Sequence, residues 1–251
     1  MELKFTYVGG TCWVLEVDNK LKIACDPALN PKDTKYNYKG LKSKRLEDPI
    51  YNDKTFESVK IWLLTSPRFE HIDEKGMEKI QKESKIICRK ECGALLRDYK
   101  NVNIHFLDWY KKINLEVLGY KVIIEGVPSY GGGGGLFSRL TGKKSNGYLL
   151  IIGKQEDRKV IFITGNTFYH DNIGKMLVGY PIDLMIANVG QVKRTSGVQT
   201  MDVIGLNHFI NLLNPKRLIP IHLNDYSHYS TRREIVEKFI NIIKPGETIE
   251  I

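Results

Sequence analysis

Short apolar runs of strand length recur along the whole chain, and the order in which helix-period segments interrupt them constrains the fold more than any other feature. In the first half, runs near Leu3–Tyr7, Trp13–Val17 and Lys22–Ala24 follow one another directly. Ile61–Leu64 is apolar without alternation and reads as a buried strand. The pattern then predicts a helix over Glu74–Lys82 with Asp73 as N-cap, a strand at Lys85–Cys88, a short helix at Glu91–Leu96 and a strand at Val102–Phe106. The second half repeats the plan. Leu115–Leu118 and Lys121–Val127 form a hairpin turning at Gly119-Tyr120, and Tyr148–Ile152 with Val160–Thr164 form another. Helices near Asp171–Val178, Asp202–Leu213 and Thr231–Ile243 then alternate with strands at Leu184–Ala187 and Arg217–Ile221. Two such halves bury their sheets by stacking them face to face with helices outside, an α/β, four-layer αββα sandwich. No linker rich in Pro, Gly or Ser divides the halves, so residues 1–251 read as a single domain. Residues 26–58 are polar, rich in Tyr and Lys and weakly patterned, and read as a long loop.

Composition narrows the class. Hydrophobic residues make up 42% and charged residues 27%, with aromatics spread along the length, which excludes a disordered chain. No apolar stretch approaches the ~18 residues of a membrane span, and the N-terminus lacks a signal-peptide pattern. The expectation is a cytoplasmic protein with Cys12, Cys25, Cys88 and Cys92 reduced. The net charge of +9 permits a nucleic acid, an anionic lipid or a phosphorylated metabolite as partner, but no basic run marks a tail, and a solvated Lys-rich surface is the simpler account of it. The oligomeric state is not legible.

Several tempting motifs fail on their chemistry. Gly131–Gly135 lacks the following Lys-Ser/Thr and helix of a phosphate loop, and reads as a flexible loop, with Arg139, Lys143 and Lys144 keeping backbone anion binding open. Gly-x-Ser-x-Gly is absent. The six histidines form neither His-x-His nor His-Glu-x-x-His, and Cys88 with Cys92 lacks a second pair of ligands, so no simple zinc motif is present. His105, His170 and His208 read as surface or core residues.

A series of short segments nevertheless falls in a recognisable order. Tyr7-Val8-Gly9-Gly10-Thr11 precedes Val14-Leu15-Glu16-Val17 and Asp26-Pro27. The strand Ile61-Trp62-Leu63-Leu64-Thr65 leads into Ser66-Pro67-Arg68-Phe69-Glu70-His71-Ile72-Asp73. Val127-Pro128-Ser129-Tyr130-Gly131, Gly165-Asn166-Thr167 and Ile219-Pro220-Ile221-His222 follow, then Asp225-Tyr226-Ser227-His228-Tyr229. This order resembles the metallo-β-lactamase superfamily, in its ascorbate-phosphate-lactonase-like and phospholipase-D-like hydrolase branch, over nearly the whole chain. The resemblance implies the αββα sandwich and a cleft at the strand ends. In that family two divalent metals ~3.5–4 Å apart share a hydroxide that attacks the substrate.

The departures from the family pattern fall on the ligands. The three-His site reads Ser66, Arg68 and Gly131, and none of these is a metal ligand of the required kind: Gly has no side chain, Ser is a poor donor and Arg is a permanent cation. The second site reads Glu70, His71, Asn166 and His222, a weakened set that retains two imidazoles, a carboxylate and an amide for a single divalent metal, zinc by donor type. Arg68 is expected to replace part of the missing metal charge, pairing with Glu70 or binding an anion. Asp26 supports a histidine or the backbone from behind, and Tyr130 and His228 line the cleft. The reading is therefore a metallo-β-lactamase-fold protein without two-zinc hydrolysis, a possible pseudoenzyme whose cleft binds a small anionic ligand through Ser66, Arg68, Tyr130, Gly131 and His228. Alternatives are a divergent phosphoester, lactone or amide hydrolase with one metal, and a nucleic-acid-binding protein.

Overall fold

Two mixed β-sheets pack face to face. The computed structural model describes residues 1–38, 40–96, 102–131, 145–194 and 197–251. The strands of the first half are Leu3–Gly9 (β1), Cys12–Val17 (β2), Leu21–Cys25 (β3), Lys35–Tyr38 (β4), Leu41–Lys44 (β5), Val59–Leu63 (β6), Lys85–Cys88 (β7) and Asn103–Phe106 (β8). Those of the second half are Lys112–Val117 (β9), Tyr120–Pro128 (β10), Asn146–Lys154 (β11), Asp157–Ile163 (β12), Leu184–Asn188 (β13), Lys193–Arg194 (β14), Gly197–Val198 (β15), Arg217–Ile221 (β16) and Thr248–Glu250 (β17). One sheet runs β17-β1-β2-β3-β6-β7-β8 and the other β16-β13-β12-β11-β10-β9. Strands β3, β6, β7 and β8 are parallel neighbours, as are β12, β13 and β16. Their C-terminal ends therefore collect along an edge of each sheet.

Alternation along the strands sorts residues into layers. Trp13, Leu15 and Val17 of β2 and Ile161 and Ile163 of β12 enter the core between the sheets. Their neighbours Cys12 and Val14 face Met77, Cys92 and Leu96 from the helices Glu74–Met77 and Lys90–Leu96. Val160 and Phe162 face Ile173, Leu206 and Phe209 from Asp171–Leu177 and Val203–Leu213. Helix, sheet, sheet, helix is the predicted layering. All four cysteines are buried and unpaired by disulfide. No helix of the described residues is long and apolar enough to cross a membrane.

Four details differ from the sequence expectation, each for a local reason. Residues 26–58 are not one loop, because they carry the β4–β5 hairpin. Tyr36 stacks on Phe69 at 4.3 Å, Arg45 is fully buried, and Leu46 N donates to Asp225 O, so this segment takes its order from partners distant in sequence. The β9–β10 turn is Leu118-Gly119, both at positive φ, and Tyr120 already pairs with Val117, as a two-residue hairpin turn requires. The helix after Asp73 stops at Met77: Lys79 N and Ile80 N bond three residues back rather than four, and Gln81 Nε2 donates to the carbonyls of Phe56 and Lys79. The last helix spans only Arg233–Val236, after which the chain tightens at Phe239 N to Val236 O and returns to lay β17 on β1. Residues 132–144, which include the glycines after Gly131 with Arg139, Lys143 and Lys144, lie outside the described residues.

Candidate functional site

The segments that follow β3, β6, β10, β12, β13 and β16 converge on a buried polar group. At the first sheet, Asp26 follows β3 with φ +44 and is 1% exposed. Its carboxylate accepts from Thr65 N at 2.7 Å and from Thr65 Oγ1 at 2.5 Å, and meets His71 Nδ1 at 2.7 Å. At the second sheet, Gly165 starts the turn that presents Asn166. It has φ +59, and a Cβ there would lie 2.4 Å from Asn146 O, so only glycine fits. Asn166 Nδ2 meets His71 Nε2 at 2.6 Å, while its Oδ1 accepts from Asn188 Nδ2 at 2.9 Å. Asn188 N in turn donates to Thr164 Oγ1. With the amide N–H aimed at Nε2, the His71 proton belongs on Nδ1, facing Asp26. Asp26, His71, Asn166 and Asn188 thus form a hydrogen-bonded chain that crosses from one sheet to the other.

Beside it lies a second group with a different character. His222 follows β16 at φ +68, its ring tilted against Tyr229 at 4.0 Å and stacked on His71 at 5.9 Å, and among the described residues neither ring nitrogen has a hydrogen-bond partner. Gly190 makes room for it, since a Cβ there would stand 2.4 Å from His222 O and 2.8 Å from its Nδ1. Burial, then His71, His228 and Arg68, push the His222 imidazole well below its ordinary value, so it is neutral at pH 7. Glu70 is fully buried, and neither carboxylate oxygen has a hydrogen-bond partner among the described residues. Burial raises its pKa, but Arg68, His71 and His228 outweigh burial and hold it below the usual range. Arg68 Nη1 stands 3.8 Å from Glu70 Oε1 without a hydrogen bond, and Nη2 donates to Gln199 Oε1 at 2.8 Å. Ser66 Oγ is buried and unpartnered among the described residues.

The replaced positions are filled by neighbours. A Cβ on Gly131 would come within 3.0 Å of Gln199 Oε1, so Gln199 sits where a side chain at position 131 would begin. His228 Nδ1 pairs with Ser43 Oγ at 2.6 Å, and its ring lies 5.7 Å from Phe69. Tyr130 belongs to a rim cluster, stacked on His170 at 4.0 Å with Trp109 at 5.8 Å, and its hydroxyl accepts from Asn172 Nδ2. Deeper in, Asp225 Oδ1 accepts from Gly10 N at 2.6 Å while Oδ2 is unpartnered among the described residues. Burial raises the Asp225 carboxyl to about 6 against the pull of Arg45.

Tested as a metal site, this arrangement does not fit. Of the four expected ligands, His71 and Asn166 engage each other and Asn188, leaving Glu70 and His222 without partners among the described residues. Among the described residues no three His, Cys, Asp or Glu side chains are grouped to hold a metal. Sequence reasoning missed Thr65, Asn188, Gln199 and Asp225. Asn188 lies one residue past the predicted strand Leu184–Ala187, at the kind of strand end that supplies the other groups. Gln199 carries no local signal.

Comparison with known proteins agrees with the architecture. Residues 22–223 match the model of the beta-lactamase superfamily domain. A UPF0173 metal-dependent hydrolase of Pyrococcus furiosus is 23% identical over 99% of this chain and 100% of its own. The crystal structure of an isothiocyanate hydrolase from Delia radicum gut bacteria superposes with a TM-score of 0.80 at 20% identity, covering 99% of this chain and 98% of that one. A possible metal-dependent hydrolase from Veillonella parvula DSM 2008 gives 0.78 at 19% identity, covering 99% of both chains.

Proposed function

The chain belongs to the beta-lactamase superfamily, and from that premise we propose that its cleft takes an anionic ligand at Arg68 in place of the family's two-metal hydrolysis. The observation that carries this is the Arg68 guanidinium, held by Gln199 on one side and facing Glu70 on the other, with Nη1 buried and unbonded among the described residues. Leaving such a donor unmade costs about 1–3 kcal/mol, more for a charged group. Ser66 Oγ offers a second donor. Glu70 restricts the ligand, because its ionised carboxylate repels a bare anion but accepts from a hydroxyl or ammonium group. The fitting ligand carries an anionic group for Arg68 and a donor for Glu70.

Metal content tests the reading. Protein purified without added zinc, then dialysed against zinc, is expected to hold far less than one equivalent, with no difference in His222→Ala. One equivalent in the wild type, lost in the variant, overturns it.

A second reading, a hydrolase with a single divalent metal, zinc by donor chemistry, is favoured by the unpartnered lone pairs of Glu70 and His222 and by relatives described as metal-dependent hydrolases. It requires Asn166 to turn its amide and release His71 Nε2. Zinc-dependent turnover of phosphoester, lactone or amide substrates, abolished by His222→Ala, is its signature.

A further inference from the structure

The β4–β5 hairpin has two unlike faces. Tyr36 and Ser43, paired across the ladder, point inward to Phe69 and His228. The opposite face carries Lys35 across from Lys44 and Asn37 across from Lys42, all exposed. This face borders a pocket of about 440 Å³ lined by Lys35, Asn37, Lys42, Lys44 and Ser227 with the two inward residues. Like charges directly opposite on a ladder destabilise it. Lys44 is relieved by Asp33 at 2.7 Å, but among the described residues neither Lys35 nor Lys42 has a carboxylate within salt-bridge distance. The wall is nonetheless well fixed. Ser227 Oγ accepts from Lys44 N at 3.0 Å and Ser227 N donates to Lys44 O at 2.9 Å, tying β5 to the segment after β16.

We propose that this pocket binds a phosphomonoester of a small organic body. Lys35 and Lys42 hold the phosphate, Asn37 and Ser227 supply neutral hydrogen bonds, and the lysine stems with the Tyr36 side form the wall for the body. A dianion held by Lys35 and Lys42 offsets the positive charge gathered on this face, where Lys35 stands opposite Lys44 and Lys42 opposite Asn37. The volume lies in the range of small-molecule sites, roughly 300–1,000 Å³, and exceeds what a bare phosphate needs. None of the residues lining this pocket is Ser66, Arg68, Glu70 or His222, so the two sites use different ligand groups.

Phenyl phosphate is the probe, with inorganic phosphate for the head group alone, titrated calorimetrically into the full chain. Phenyl phosphate is expected to bind more tightly than inorganic phosphate and to weaken as salt rises. The double substitution Lys35→Ala with Lys42→Ala is expected to weaken it by about 10-fold or more, the loss expected for charge-assisted hydrogen bonds, while Arg68→Met leaves it unchanged. No phenyl phosphate binding to the wild type, or binding that survives the lysine substitutions, overturns the proposal. Loss with Arg68→Met alone moves the anion to the cleft and also overturns it. Unchanged thermal unfolding of the lysine variant excludes a folding defect, because both side chains are exposed.

Discussion

Two polar groups lie side by side at the strand ends, and they are built on opposite principles. In the chain Asp26–His71–Asn166–Asn188 each link is hydrogen bonded to the next. In the neighbouring group, Ser66 Oγ, Arg68 Nη1, both oxygens of Glu70, both nitrogens of His222 and Asp225 Oδ2 are buried without hydrogen-bond partners among the described residues. A satisfied buried network fixes geometry, whereas unsatisfied groups cost stability unless something else meets them. The first group therefore reads as the brace that ties the two sheets together, and the second as the place proposed for the ligand.

The largest test of this contrast is Asp26→Ala. It strips the acceptor from Thr65 N, Thr65 Oγ1 and His71 Nδ1 together and is expected to cost about 3–5 kcal/mol in urea unfolding. A loss below about 1 kcal/mol would remove the bracing role.

Asp225→Asn probes the unsatisfied side through pH. A carboxyl raised from 3.8 to about 6 binds more protons folded than unfolded between those values. Its contribution to stability is fully present below the unfolded value and lost as pH rises through about 6, which amounts to about 3 kcal/mol. Relative to Asp225→Asn, the wild type should therefore lose stability between pH 4 and pH 7, read as a pH-dependent gap between their urea midpoints. A constant gap would show that Asp225 titrates normally.

Arg68→Met leaves Glu70 buried without its cation and is expected to cost about 1–3 kcal/mol at pH 7. Adding Glu70→Gln should recover most of it, because removing both charges removes the imbalance. A double-mutant cycle with no coupling would separate the two residues. The smallest effect belongs to Ser66→Ala, expected to stay within about 0.5 kcal/mol, since the unpartnered hydroxyl loses no hydrogen bond. A clear loss there would mean that Ser66 already has a partner and belongs with the brace.

Much of this was legible in the chain itself. Alternation and run length placed the main strands within a few residues, because side-chain direction along a strand has a fixed period of two. The order of motifs put Asp26, Glu70, His71, Asn166 and His222 at strand ends, and those ends do meet. The identity of each residue also limited its chemistry: a guanidinium at 68 and a hydrogen at 131 cannot donate lone pairs. Tertiary structure decided the rest. Which way the Asn166 amide points depends on Asn188, more than twenty residues away. Gln199 beside Gly131 has no sequence signal, because it meets Arg68 only after both sheets have closed. The β4–β5 hairpin is ordered by Phe69, Asp225 and His228 rather than by its own pattern. Periodicity reports what a residue does with its immediate neighbours, while hydrogen-bond satisfaction depends on partners that only the packed fold brings within reach.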